Sequence, residues 1–274
     1  MSWSGGITEW IEENTAFISV VFSWKLQQVY QRAIWYREAG FNVRVGGPGL
    51  FAKPSYFADV AEIGGHVDAL VRHNPDATIA SRGCPVGCYF CVVPKMEGKE
   101  FTLLPEFTPR PILCDNNLSA LPADYQDYII EKYQKYGVSL LDINSGFEPR
   151  TFTDEVYRRW KKINRGAWRL AFDEEKEADE VYKAMQIIKD EPSYSKRIYV
   201  LIGNEPFEIC LHRILRVIEW GGEPHVQPMI PMYSLEKKPI VRFDWTVQKL
   251  RDLSRWSNRW IWRTVPFSEY NRNA

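Results

Sequence analysis

No apolar run in the 274 residues reaches the roughly 18 that a membrane span requires, so no membrane partner is expected. Charge of one sign is not in excess. The 35 Lys and Arg meet 35 Asp and Glu, so the whole-chain field argues neither for nor against a nucleic-acid partner. Histidine is scarce, at four, and none sits at metal-ligand spacing. Cysteine is scarce too. Five is an odd number in a long chain, which argues against a disulfide scaffold. Met1 to Thr8 lacks a basic region followed by an apolar stretch, so a secretory signal is not expected and a cytoplasmic location is. With 45% apolar and 26% charged residues the composition is globular. The length allows one large domain or two modest ones, with about three quarters of the unfolded surface buried.

What is present is unevenly placed. Residues 1–76 carry 6 Lys and Arg against 8 Asp and Glu, residues 77–236 carry 20 against 24, and residues 237–274 carry 9 against 3. A basic, Trp-rich C-terminal extension therefore follows a mildly acidic body. It reads either as a patch for phosphate or an acidic partner, or as a solvated helix docked by its tryptophans.

Ala16 to Phe22 is a short apolar, β-branched run, hence a buried strand. Leu26, Val29, Tyr30, Ala33 and Ile34 follow at helical spacing over Trp24 to Arg37, and Gly40 stops that helix. Asn42 to Val45 reads as a second strand, closed by Gly46-Gly47-Pro48-Gly49. This βαβ unit resembles the start of a cobalamin-binding Rossmann-like domain over about residues 16–50. The D-x-H-x-x-G cobalt-ligating motif is missing and 76 residues are too few for that domain. The expectation is a reduced cap over 1–76, without cobalamin.

From Ala77 a strand–helix rhythm repeats. Candidate strands start near Thr78, Ile112, Ser139, Trp168, Ile198 and His225, with helical stretches Tyr125–Tyr136, Thr153–Ile163, Glu177–Lys189 and Pro206–Trp220 between them. Six short-connected units mean parallel strands with outer helices, and too few residues for an eight-unit barrel. The fold class expected is α/β: a partial (β/α)6 TIM-like barrel over 77–236, with the small N-terminal βαβ cap and a C-terminal helical tail over 237–274. A flat doubly wound sheet is the alternative. In both, the active site lies at the carboxyl ends of the strands.

Three of the five cysteines crowd into Cys84-Pro85-Val86-Gly87-Cys88-Tyr89-Phe90-Cys91, a C-x3-C-x2-C loop just after the first strand of the repeat. Three thiolates on one loop can hold three irons of a cubane cluster and leave the fourth open to a small molecule. A structural zinc site with Cys114 as fourth thiolate is the rival, but Cys114 has no close cysteine partner. Cys114 and Cys210 read as core residues.

The loop resembles that of the radical S-adenosylmethionine (radical SAM) superfamily, whose hallmark is this spacing with an aromatic residue, here Phe90, before the third cysteine. Arg82 through Pro94 is similar to the branch containing methylthiotransferases and cobalamin-associated radical SAM enzymes, and the resemblance covers about residues 77–232. It implies a [4Fe–4S] cluster on Cys84, Cys88 and Cys91, with S-adenosyl-L-methionine as cosubstrate and an electron donor such as flavodoxin or ferredoxin. The superfamily binds the cosubstrate's ammonium after the second strand, where this chain has Asp115, Asn116 and Asn117 in place of a Gly-Gly-Glu stretch; a plain Asx-capped turn is the other reading. Asn144 and Ser145, in a turn like the branch's Asn-Gln-Gly, are candidates for carboxylate or ribose. Arg169 alternates inward with Ala171 and Asp173 and suits the methionyl carboxylate, with Asp173 at the strand end for a hydroxyl or proton; an internal Arg–Asp ion pair is the alternative. Ile202, Gly203 and Asn204 stand where backbone lies against adenine, glycine permitting close approach. Gln227 completes the set, and His225 is equally readable as structural.

The expected activity is reductive cleavage of the cosubstrate to a 5′-deoxyadenosyl radical that abstracts hydrogen from an unidentified substrate. A second cluster is excluded because Cys114 and Cys210 stand 96 positions apart, so methylthiolation is disfavoured. Two substrate classes stay open: a nucleotide or nucleic acid, or a small metabolite or peptide. A non-catalytic zinc or iron–sulfur protein is a further alternative. Arg251, Arg255, Arg259 and Arg263 recur at i+4 with Trp256, Trp260 and Trp262 between them, which fits nucleic acid or a helix closing the barrel.

Overall fold

A computed structural model describes residues 2–64 and 69–271. His66 and the last three residues of the basic extension lie outside the described residues. The chain is a mixed α/β protein with several small sheets and eight α-helices among the described residues, and no sheet closes into a barrel. It divides into two compact units. The first comprises Met1–Thr78, Val86–Lys99 and Ile230–Lys238, and the second Ile79–Pro85, Glu100–Met229 and Pro239–Ala274.

In the first unit, β1 (Ile7–Glu12) and β2 (Thr15–Val20) form an antiparallel hairpin through Glu13-Asn14, with Glu13 at φ 51. A positive φ at the first turn residue gives the twist that a two-residue hairpin needs. Helix α1 (Leu26–Glu38) then carries the chain to β3 (Asn42–Gly46), parallel to β2, and β4 (Glu62–Ile63) pairs parallel to β3. Leu26, Val29, Ala33 and Tyr36 of α1 meet Ala16, Ile18, Val20, Val43 and Val45 in one core. The expected βαβ is present, preceded by a hairpin strand that the sequence reading did not include. The short α2 (Ala69–His73), β5 (Ala77–Thr78) and α3 (Val93–Met96) complete the unit's regular elements.

In the second unit, β6 (Ser81–Arg82) pairs antiparallel with β7 (Thr102–Leu103). Strand β8 (Ile112–Leu113) is joined through α4 (Ala123–Tyr136) to β9 (Asp142–Ile143), parallel to it. Helix α5 (Asp154–Lys161) leads to β10 (Trp168–Ala171), α6 (Ala178–Ile187) to β11 (Lys196–Ile202), and α7 (Phe207–Glu219) to β12 (Glu223–Pro228). These last three strands are parallel and adjacent, and a single parallel bridge, Phe147 to Leu170, ties the segment after β9 to β10. The strands expected at Ile112 and Ser139 therefore shrink to two residues each. The helices close as capping chemistry directs: Thr153 accepts from Val156 N ahead of α5, and Gly137 ends α4 in the left-handed region. One face of β11 buries Ile198, Val200 and Ile202, whereas Arg197, Tyr199 and Leu201 alternate onto the other.

Helix α8 (Val247–Asn258) docks through buried Leu250, Leu253 and Trp256. The Asn258 side chain donates to Val226 O and accepts from Val226 N, standing in for a neighbouring strand at the β12 edge. Here the structure corrects the sequence reading. The helix ends at Asn258 and Trp260 sits at φ 55, so Arg259 and Arg263 do not continue the i+4 stripe of Arg251 and Arg255. Arg263 instead forms an ion pair with Glu223 at 2.5 Å.

Candidate functional site

The cysteine loop leaves β6, and the chain following β8 fixes where it starts. Asp115 is 1% exposed; its carboxylate accepts from Ala80 N at 2.8 Å and from the Ser81 hydroxyl at 2.5 Å. Burial disfavours its charge and pushes the acid up to about 6, against the Ser81 and Ala80 hydrogen bonds that favour the anion. Asn116 Nδ2 donates to Gly83 O at 3.5 Å. Asn117 Nδ2 donates to Cys84 Sγ at 3.6 Å, while its Oδ1 accepts from Ala120 N at 3.2 Å. All three residues of the Asp-Asn-Asn stretch thus reach back to residues 80–84.

Cys88 and Cys91 close a turn, Cys91 N donating to Cys88 O at 3.1 Å, with Tyr89 and Phe90 at its centre and their rings edge-on at 5.2 Å. Cys84, Cys88 and Cys91 are partly exposed, and all five cysteines are thiols rather than disulfides. Among the described residues no three His, Cys, Asp or Glu side chains converge as a metal-ligand set. The fit of an iron–sulfur cluster rests on donor chemistry. Three accessible sulfurs share eight residues, two of them on one turn, and Cys84 Sγ already accepts an N–H, the bond that stabilises a thiolate or a cluster-bound sulfur.

The other two cysteines differ. Burial, with Asp115 and Asp142 nearby, pushes the Cys114 thiol up to about 12. Cys210 is buried on α7, where its sulfur accepts from Arg213 Nη2 at 3.2 Å. Neither is a ready thiolate, which weighs against Cys114 as a zinc ligand.

Arg169 projects from β10 onto the carboxylate of Asp142, at 2.9 and 3.0 Å, and donates to Asn144 O at 3.3 Å. Its guanidinium already holds an anion, and that anion is Asp142 and not Asp173. Asn144 and Ser145 are exposed beside it.

Further along the sheet, Asp173 N donates to Glu177 Oε2 at 3.0 Å, and Asn204 Nδ2 donates to Asp173 O at 2.6 Å. Burial, then the Glu177 charge, lifts the Asp173 acid to about 7 despite Arg213. Arg213, fully buried on α7, was not singled out from sequence. It donates to Phe172 O and to Leu201 O at 2.8 Å and pairs with Glu205 at 3.1 Å, buckling the ends of β10 and β11 together. Ile202 is buried, Gly203 has φ 87, and Gln227 is exposed on β12. Three groups emerge: the Asp115–Asn117 stretch with Cys84, Arg169 with Asp142 and Asn144, and Asp173 with Asn204, Glu177 and Arg213.

No family model matches this chain, and no curated protein matches it. No helix among the described residues is long and apolar enough to cross a membrane.

Proposed function

We propose that this chain is a radical SAM enzyme that holds a [4Fe–4S] cluster on Cys84, Cys88 and Cys91 and acts on a carbon centre of a substrate still to be identified. The observation that carries the reading is the C-x3-C-x2-C loop, its last two cysteines on one turn and its first accepting a hydrogen bond from Asn117. Strands β8 to β12 run in chain order, each crossover using one helix, which supports a partial barrel over a doubly wound sheet, where strand order reverses.

Held by Cys84, Cys88 and Cys91 and reduced by an external one-electron donor, the cluster would supply the electron for reductive cleavage of S-adenosylmethionine to methionine and a 5′-deoxyadenosyl radical. The chain's residues orient and shield. Asp115 anchors the start of the loop through Ala80 and Ser81, and Asn117 steadies Cys84. Asn144, Ser145 and the Arg169–Asp142 pair supply polar contacts for the cosubstrate's amino-acid end. Asp173, held near neutrality, offers a proton-exchanging carboxyl at the strand ends. The Gly203 backbone with Ile202, Asn204 and Gln227 lies on the side assigned to adenine.

Anaerobic purification tests this. The protein should carry about four irons and four sulfides per chain, and dithionite with S-adenosylmethionine should release 5′-deoxyadenosine without added cobalamin. Changing Cys84, Cys88 or Cys91 to Ala should each remove the iron, and Cys210→Ala should keep it. Stoichiometric zinc without sulfide would refute the assignment.

A further inference from the structure

We infer that the second unit holds an oxyanion pocket built on Arg197, separate from the cysteine loop and independent of any cluster, that takes the phosphate or carboxylate group of a small metabolite. Arg197 is the second residue of β11 and alternates onto the face opposite the core, in register with Arg169 on β10 and Glu223 on β12. It lines a cavity of about 120 Å³ with Glu223, Pro224, His225, Asn258 and Trp260. At about 30 Å³ per water, that holds roughly four waters or one oxyanion head.

The charges around it are already committed. Asp142, whose field reaches Arg197, is held by Arg169, and Glu223, 4% exposed, is held by Arg263. Arg197 is half-buried, and among the described residues its guanidinium donates no hydrogen bond and joins no ion pair. Cations opposite one another on neighbouring strands repel, and a half-buried guanidinium with five donors needs acceptors. An oxyanion supplies both in bidentate geometry.

A second feature points to the same place. Trp260 holds φ 55 and ψ 25, left-handed backbone that a bulky residue rarely adopts, and is still 44% exposed as it walls the cavity. Such strain concentrates where a side chain must be aimed at a ligand. The imidazole of His225, 5.1 Å from the Tyr199 ring, reports on the pocket: burial and then the Arg197 and Arg169 charges hold its pKa below the usual histidine value.

The test is an NMR pH titration of His225 in the full chain at constant ionic strength, with sodium chloride replaced by inorganic phosphate in one arm and by acetate in another. An oxyanion beside Arg197 should raise the His225 midpoint by about half a pH unit or more, saturably. A rise with phosphate alone assigns a phosphate ligand, and one with acetate assigns a carboxylate. In Arg197→Gln the chloride-arm midpoint should rise, because one facing cation is gone, and the response to added anion should vanish; a dispersed amide spectrum and a cooperative melt like those of the wild type verify separately that the variant is folded. Identical midpoints in all three wild-type arms, or an anion response that survives in Arg197→Gln, would overturn the proposal. Because no iron is needed, failure here leaves the cysteine-loop reading untouched, and the reverse holds as well.

Discussion

The two units bury their ionisable groups in opposite ways. In the first, the described residues include a buried histidine, His73. Burial lowers its pKa, and both ring nitrogens have partners, Ser4 Oγ at 2.6 Å and Ser19 Oγ at 2.9 Å. In the second, Asp115 is lifted to about 6 and Asp173 to about 7, Asp142 is raised, and Arg213 is fully enclosed. A neutral, satisfied histidine is what a scaffold tolerates. Carboxyl groups held away from their ordinary pKa at strand ends are what a chemical site accumulates. The two sheets therefore differ in how they carry buried ionisable groups.

The largest expected effect breaks the scaffold side. Gly47, at φ 100, lies so close to β2 that a Cβ would meet Val20 O at 2.4 Å. Neither the backbone angle nor the backbone oxygen can yield, so Gly47→Val should destabilise by about 3 kcal/mol or more. Hydrogen exchange should rise across β2 and β3 well before β11. Uniform loosening of both sheets would show that the units do not differ in the way argued.

Next in size is Asp115→Ala, which leaves Ala80 N and the Ser81 hydroxyl without acceptors and should lower stability by about 2–4 kcal/mol in denaturant melts. Asp115→Asn keeps one acceptor and should lose less. If Asp115 serves only as a surface anion for a cosubstrate, both variants will melt as wild type does.

Much of this was readable in the residues, for identifiable reasons. Trp168–Phe172 and Ile198–Ile202 announced strands because apolar side chains alternate over several positions. Strand β1 is not legible in the residues because ITEWIE mixes tryptophan with glutamates on a mostly exposed edge. The arginine stripe breaks because i+4 spacing says nothing of where a helix stops, and Trp260 turns the chain just past Asn258. The cysteine loop was visible because its spacing is local. Arg213 and Arg197 were not: one looks like the polar face of an amphipathic helix, the other like solvent-side alternation, and only the fold shows what encloses them.

Acidity should move the two sheets in opposite senses, by about 3 kcal/mol between pH 5 and 7 on the Asp115 and Asp173 side. Asp115 and Asp173 have folded pKa values above their unfolded ones, so the folded state binds their protons more tightly, and their part of the stability falls as pH rises from about 4 toward 7. His73 has a lowered folded pKa, so the unfolded chain takes up its proton first. Its part is present above about 6.5 and declines as pH falls below that. Residue-resolved hydrogen exchange, corrected for intrinsic rates, should find β8 to β11 more protected at pH 5 than at pH 7, and β2 less. Parallel trends in the two sheets would remove the electrostatic contrast.

The smallest effect belongs to Gly203. Its φ of 87 is left-handed, as at Gly47, but a Cβ there would meet Ile240 O and Leu250 Cδ2 at 3.3 Å, tight without being impossible. Gly203→Ala should therefore destabilise by about 1–2 kcal/mol, mostly through the backbone angle. Cβ space is bounded by the segment that follows β12, so the substitution adds nothing to the peptide faces of residues 202–204. If those faces carry adenine, iron content should stay at the wild-type value. S-adenosylmethionine affinity, measured calorimetrically on the reconstituted protein, should then weaken only as far as the peptide plane rotates to relieve the angle. A loss of affinity with melting unchanged would mean that the glycine is retained for the ligand. Lowered melting with affinity unchanged would mean that it is retained for the turn, the Cβ pointing at Ile240 and Leu250 and away from any ligand on the peptide faces.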